Sequence, residues 1–253
     1  MSPVIRGLKL RYFRGVVRGY VELAPLTVLV GPNNSGKTTV LEALLLAHGF
    51  RDVAGLSVFS ILSAIHKTLE SVGVDHLVYG YGAKARRAVA TYIVDSQVKS
   101  IAVDVSRETL RFYHIEGLDA DELIEASELE RIGKMIAQAT RFTLSQWSIH
   151  DSTRLIANTL LLRDDLMREY QSFVYRNWVD FVNSGITGEV ARWVSRVVGE
   201  DYLDVTAEPV GGRHTLLLYK SDRTRVRLGD VGDGVQVLVV AKMLVDYLRP
   251  EVI

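Results

Sequence analysis

Nine consecutive residues, Gly31-Pro-Asn-Asn-Ser-Gly-Lys-Thr-Thr39, constrain the fold of this chain more than anything else in it. Gly31, Gly36, Lys37 and Thr38 fill the pattern G-x-x-x-x-G-K-[ST] in full. Glycines let the main chain wrap tightly round phosphates, and successive N–H groups then point inward as donors. A helix starting at this point adds the positive end of its dipole. On this reading Asn33, Asn34, Ser35 and Thr39 complete the wall of a cradle for ATP or a close relative. Lys37 reaches the β- and γ-phosphates, and the Thr38 hydroxyl holds magnesium. The flanks agree with the motif. The apolar run Leu26–Val30 predicts a buried central strand leading into Gly31. Thr39–Ala47 predicts a helix with Val40, Leu41, Leu44 and Leu45 on its packing side.

Elsewhere the pattern alternates between strand and helix. Val4–Leu10 and Gly19–Leu23 predict two antiparallel strands, and 51–80 a helix followed by a loop. Ala88–Val94, Val98–Val105 and Thr109–Ile115 predict a three-stranded meander. Asp119 and Glu122 are spaced as a capping box opening a helical region that runs to about Val198. Its apolar positions, Leu155, Ile156, Leu160, Leu166, Tyr170 and Phe173, predict packing within an internal subdomain. Tyr202–Glu208, His214–Tyr219 and Thr224–Leu228 return to strand, with a turn at Gly211-Gly212. A last helix, Val235–Leu248, stops at Pro250. The predicted fold is α/β, a P-loop NTPase with a mixed sheet, an N-terminal antiparallel β subdomain and a helical insertion. Its expected parts are a cradle lobe with the meander (1–117), the insertion (118–200), and a hairpin with a final helix (201–253).

The 30 basic and 30 acidic residues cancel, so whole-molecule charge argues neither for nucleic acid nor for a membrane surface. The absence of cysteine excludes disulfides, thiolate metal sites and cysteine nucleophiles. No apolar run approaches the ~20 residues of a membrane helix, and the N-terminus does not resemble a signal peptide. These features set the expectation of a cytoplasmic protein without membrane contact. None of the six histidines has a spacing that suggests catalysis or a metal site.

A second glycine-rich turn, Leu228-Gly-Asp-Val-Gly-Asp-Gly-Val-Gln236, opens the last helix. Taken with the cradle and the opening LKLRYFRGVVRGYVELAPLTVLVGPNNSGKTTVLEAL, it resembles the ABC-type ATPase heads related to SMC, RecF and the overcoming-lysogeny (OLD) family. The likeness covers residues 4–48 and 224–253; between them it rests on the order of elements. It implies heads that dimerise head to tail, each signature turn meeting the γ-phosphate held by the other cradle. Gly232, Asp233 and Gly234 would then face nucleotide in trans, Gln236 lying nearby, and Arg14 of Phe13-Arg14 would lie near the nucleotide. A plain helix-capping turn is the alternative for 228–236. The preference for ATP over GTP also comes from the resemblance, as does an output in DNA repair or phage defence.

Hydrolysis in that family uses a Walker B strand, four apolar residues and then acids, after the signature helix. Here the sequence reads Arg249-Pro-Glu-Val-Ile253 where it would begin. Leu160-Leu-Leu-Arg-Asp-Asp165, interrupted by Arg163 and placed in a helical stretch, is a poor substitute, as is Ile101-Ala-Val-Asp104 with one acid. Truncation, a split protein and a non-hydrolysing nucleotide-gated module remain open, and a lone chain of poor stability or one that associates is expected. A P-loop nucleotide kinase is disfavoured by the signature turn. Arg6, Lys9, Arg11 and Arg18, and the alternating Arg223, Arg225 and Arg227, offer phosphate or DNA contacts or simply solvated strand faces. Gln97 sits where a strand ends, and Trp147, Trp178 and Trp193 read as core or interface residues.

Overall fold

The computed structural model describes residues 5–49, 51–66, 75–105, 110–125, 141–143, 156–210 and 213–253. The chain divides into two units. The first comprises Met1–Val53, Ser57–Leu161 and Glu251–Ile253; the second comprises Ala54–Leu56 and Leu162–Pro250. The Gly211-Gly212 turn, Trp147 and Leu155 lie outside the described residues.

In the first unit β1 (Ile5–Phe13) and β2 (Val16–Glu22) form a hairpin in which Leu10 faces Gly19. Two-residue strands β3 (Asp52–Val53) and β4 (Leu56–Ser57) follow the first helix, and then the meander β5 (Arg87–Val94), β6 (Gln97–Val105) and β7 (Leu110–Glu116). With β8 (Arg141–Thr143) these build a six-stranded sheet in the order β2-β1-β5-β6-β7-β8, antiparallel at every pair. Central β5 is buried along almost its whole length, whereas β2 at the edge is not. The cause is cover on both faces. Val89 belongs to a cluster with Ala102, Tyr113 and Ile115 under Ala120 and Leu123 of α3 (Ala120–Glu125). Three residues on and so on the opposite face, Tyr92 donates its hydroxyl to Ala43 O of α1 (Lys37–Leu46) at 2.5 Å. That bond and the burial of Val40, Ala43, Leu45 and Leu46 hold α1 on the sheet. The capping box forms as spaced: Asp119 Oδ1 accepts from Glu122 N at 3.1 Å, and Glu122 Oε2 accepts from Asp119 N at 2.7 Å. Helix α2 (Val58–Ile65) is capped by Ser57, whose hydroxyl accepts from Ser60 N at 3.0 Å.

The expected strand at Leu26–Val30 does not form. Leu26, Val28 and Val30 are 83%, 73% and 88% exposed, in a loop running from Leu23 to the cradle. A strand exists through the ladder it shares with neighbours. Here β1 is already flanked by β2 and β5, and no described strand lies beside 26–30. The apolar run is therefore a strand in composition only. The sequence predicts a mixed sheet, whereas every strand pair described in this unit's six-stranded sheet is antiparallel. The described parallel contribution is a single bridge, Thr159 with Val252, beside which Leu160 N donates to Val252 O at 2.8 Å.

The second unit contains α4 (Met167–Arg176), α5 (Trp178–Asn183), α6 (Ile186–Val198), β9 (Tyr202–Val210), β10 (Arg213–Lys220), β11 (Arg225–Arg227) and α7 (Asp233–Leu248). Its sheet has the order β11-β10-β9, antiparallel throughout. Helix α6 buries Ile186, Val190, Ala191 and Val194 and ends at Gly199 with φ +73°, the left-handed conformation that closes many helices. The α6–β9 corner is stitched by Ser195 Oγ, which accepts from Tyr202 N at 2.7 Å. Phe181 of α5 stacks on Tyr247 of α7 with ring centroids 4.4 Å apart.

Candidate nucleotide site

The cradle is an exposed loop whose shape depends on its glycines. Gly36 caps α1 at φ +90°, a region costly for any residue with a Cβ. A Cβ at Gly31 would lie 2.8 Å from Ser35 Oγ. Asn34 adopts φ +63°, which asparagine tolerates better than most side chains. Ser35 N donates to Pro32 O at 3.3 Å, and the first helical bond is Val40 N to Gly36 O at 3.1 Å. Helix α1 has no side-chain cap and no acid in its first turn. Its leading N–H groups are therefore open, and no carboxylate competes for the dipole.

Lys37 curls back over this loop. Its ammonium donates to Gly31 O and Pro32 O, each at 2.7 Å, and to Ser35 Oγ at 3.3 Å. Thr38 is exposed, whereas Thr39 is buried on the core side. Thr39 thus has a main-chain N–H rather than a hydroxyl to offer a phosphate. The residues suit a triphosphate tail: an uncapped helix start, a left-handed glycine hinge and one cation at the loop. Thr38, the first hydroxyl after Lys37, is exposed and suited to a magnesium ion.

Arg14 is paired with a carboxylate of the cradle helix. It takes φ +53° in the β1–β2 turn, and its main-chain N–H donates to Leu77 O at 2.8 Å. Its guanidinium meets Glu42 Oε2 at 2.7 Å, and Glu42, on the inner face of α1, is fully buried. The other carboxylate oxygen is 2.7 Å from His66 Nε2. His66 follows α2, and its ring lies 3.9 Å, centroid to centroid, from that of His76 in the 3₁₀ turn Asp75–Leu77. Histidine spacing suggested nothing here, because the chain brings His66 and His76 together only through the fold. One signal was available, a glutamate at a core-facing position in the apolar run Val40–Leu46.

The second glycine turn belongs to the other unit. Leu228–Asp230 forms a 3₁₀ turn, Gly232 caps α7 with φ −57°, and Asp233 and Gly234 are exposed in its first turn. A Cβ at Gly229, Gly232 or Gly234 would meet nothing within 4 Å, and none of the three has a positive φ. Gln236 is turned onto the cap, its amide donating to Val231 O at 2.9 Å. An open groove of about 720 Å³ runs alongside, lined by Asp164, Met167, Gln171, Asp233, Gly234 and Gln236.

Both substitutes for a Walker B acid are occupied by arginines. Asp104 receives Arg87 in a two-pronged pair at 2.5 and 2.7 Å. Asp165 receives Arg163 at 2.9 Å through both prongs, which holds its carboxyl below the ordinary value. Thr159–Arg163 is not helical, contrary to expectation, because Thr159 faces Val252 in a bridge whose bonds run from Leu160 N to Val252 O and from Val252 N to Asn158 O. Five of the basic residues noted in the sequence are likewise paired. Lys9, Arg11 and Arg18 all meet Asp121, Arg225 meets Glu208 and Arg227 meets Asp230. Gln97 begins β6, and Trp193 lies under Lys242 of α7, 5.8 Å from its ammonium. Among the described residues no helix is long and apolar enough to cross a membrane.

The AAA ATPase domain family matches residues 4–72, the stretch from β1 through the cradle and α2. No curated protein matches the chain. Among solved structures, an SMC head domain from Thermotoga maritima aligns with 13% identity over 98% of this chain and 73% of that one, at a TM-score of 0.36. The stretch that holds the glycines, Lys37 and Thr38 thus lies inside the part of the chain that is similar to the AAA ATPase domain.

Proposed function

We propose that this chain is the ATP-binding part of an ABC/SMC-like ATPase head that closes on a second copy or partner chain when nucleotide is bound. The observation that carries the reading is the uncapped start of α1 at a left-handed Gly36, with the Lys37 ammonium folded over the loop. Lys37 and the first main-chain N–H groups of α1 would hold the phosphates, and Thr38 the magnesium ion. When bound, magnesium supplies charge neutralisation across the phosphate oxygens. The signature turn supports the dimeric part of the reading. Its three glycines answer no demand of the chain's own packing, which is the condition for a ligand or partner approaching the main chain closely.

Hydrolysis, on this reading, uses an acid supplied by a Walker B segment additional to these residues. The alternative is a nucleotide-gated assembly module that does not hydrolyse, and the pairing of both Asp104 and Asp165 with arginines favours it. A role in DNA repair or phage defence, and cytoplasmic location, come from the resemblance alone. The paired arginines add no surface argument for DNA. Titration with fluorescent ATP and magnesium, beside light scattering and phosphate release, tests the scheme. Binding that raises the mass and is weakened about 10–100-fold by Lys37→Ala supports the head. Phosphate release by the chain alone would remove the need for a further acid, and indifference to nucleotides would overturn the reading.

A further inference from the structure

We propose that Glu42, His66 and His76 form a binding site for a transition-metal ion of the zinc class. One ligand atom from each lies within 4.8 Å of the other two. The three come from separate elements: the cradle helix, the end of α2 and the 3₁₀ turn at Asp75–Leu77. An ion pair with Arg14 accounts for one oxygen of Glu42. It does not account for two imidazoles gathered about the other, one bonded at 2.7 Å and the second stacked on the first at 3.9 Å. Two neutral imidazoles and one carboxylate are a set that zinc accepts with a fourth position open, whereas magnesium and calcium take oxygen.

The fit needs little movement. Metal–ligand bonds of about 2.0–2.1 Å put tetrahedral ligand atoms about 3.3 Å apart, against 2.7 Å for His66 and Glu42 and no more than 4.8 Å for any pair of the three. The ion takes the place of the proton shared by His66 and Glu42, which leaves to solvent. Arg14 holds the far oxygen and so fixes the carboxylate's orientation, as outer partners of metal ligands do. Burial pushes the Glu42 carboxyl above its ordinary value in spite of Arg14 and His66, so the charge is under-compensated as it stands. A bound ion would tie α1, five residues in from Lys37, to α2 and to the turn that holds Arg14.

The test uses the full chain stripped with a chelator, and nucleotide plays no part in it. Cobalt(II) is expected to give visible ligand-field bands saturating at one ion per chain and displaced by zinc. Zinc at a hundredfold excess over its Kd is expected to raise the melting midpoint by about 5–10 °C. His66→Ala and His76→Ala should each weaken zinc binding by more than the 10–100-fold typical of losing an orienting partner, while His214→Ala should not. In the wild-type chain, side-chain nitrogen NMR should show two of the six imidazoles shifting with zinc, whatever the variants do. Absence of cobalt bands, bands that survive both substitutions, or zinc-shifted imidazoles other than these two would overturn the site.

Discussion

Two glycine-rich turns in this chain each launch a helix, yet different things hold them in shape. The turn before α1 is determined from within: Gly36 sits at φ +90°, a Cβ at Gly31 would crowd the Ser35 hydroxyl, and Lys37 is bonded to the loop's own carbonyls. Behind it, the buried Glu42 and Arg14 fasten the helix to the first hairpin. The turn before α7 has ordinary backbone angles and open space at Gly229, Gly232 and Gly234. Glycine is a structural requirement in the first turn and answers no internal need in the second. That difference teaches where to look for each ligand: inside the first turn, and against the outside of the second.

The comparison breaks most readily at the anchor of α1. Arg14→Met leaves a buried carboxylate without its cation and should cost about 3–5 kcal/mol in denaturant unfolding. A loss below ~1 kcal/mol, the range of exposed pairs, would mean that Glu42 is not held as described. Next, Lys37→Ala removes a charged donor worth about 1.5–3 kcal/mol. Nucleotide binding should therefore weaken about 10–100-fold, with a loss of stability of no more than about 1 kcal/mol because the loop bonds of Lys37 are exposed. Nucleotide affinity within threefold of wild type would show that the ammonium serves the loop alone.

Third, Gly36→Ala should destabilise by about 1–2 kcal/mol, the cost of a side chain in the left-handed region. Gly234→Ala, inside the first turn of α7, should stabilise by up to about 0.5–1 kcal/mol, since alanine favours the helix. The same substitution should abolish nucleotide-driven association if the turn meets a partner. Equal stability changes at 36 and 234 would erase the contrast between the two turns.

The smallest effect concerns the far end of α1. His48 is buried, and its Nδ1 accepts from Thr159 N at 3.1 Å, so burial lowers its pKa from 6.5. Below that value the unfolded chain takes up a proton that the folded chain refuses. This contribution to stability is thus complete above pH 6.5 and lost progressively as pH falls towards the lowered folded value. Denaturation at pH 7.5 and at about pH 5.5 should show the wild type losing more stability than His48→Gln. Identical losses would mean that His48 titrates freely.

Much was legible without coordinates. The meander appears within a residue or two of its expected bounds, and the Asp119–Glu122 box caps its helix as the spacing required. Both features are local, governed by alternation or by a three-residue reach. Leu26–Val30 failed as a strand for the opposite reason: its apolar composition is local, but a ladder needs partners from elsewhere. The acids at 104 and 165 could be named from the sequence, but not the arginines that occupy them.

By itself, then, the order of residues determined the phosphate cradle, because a tight turn, a lysine and a helix start lie within nine positions and need no distant help. Only the tertiary structure decided that Arg14 turns to Glu42 and that His66 and His76 converge on the same carboxylate. Those residues stand far apart along the chain. Nothing local brings them together, and their meeting is settled by how α1, α2 and the first hairpin pack.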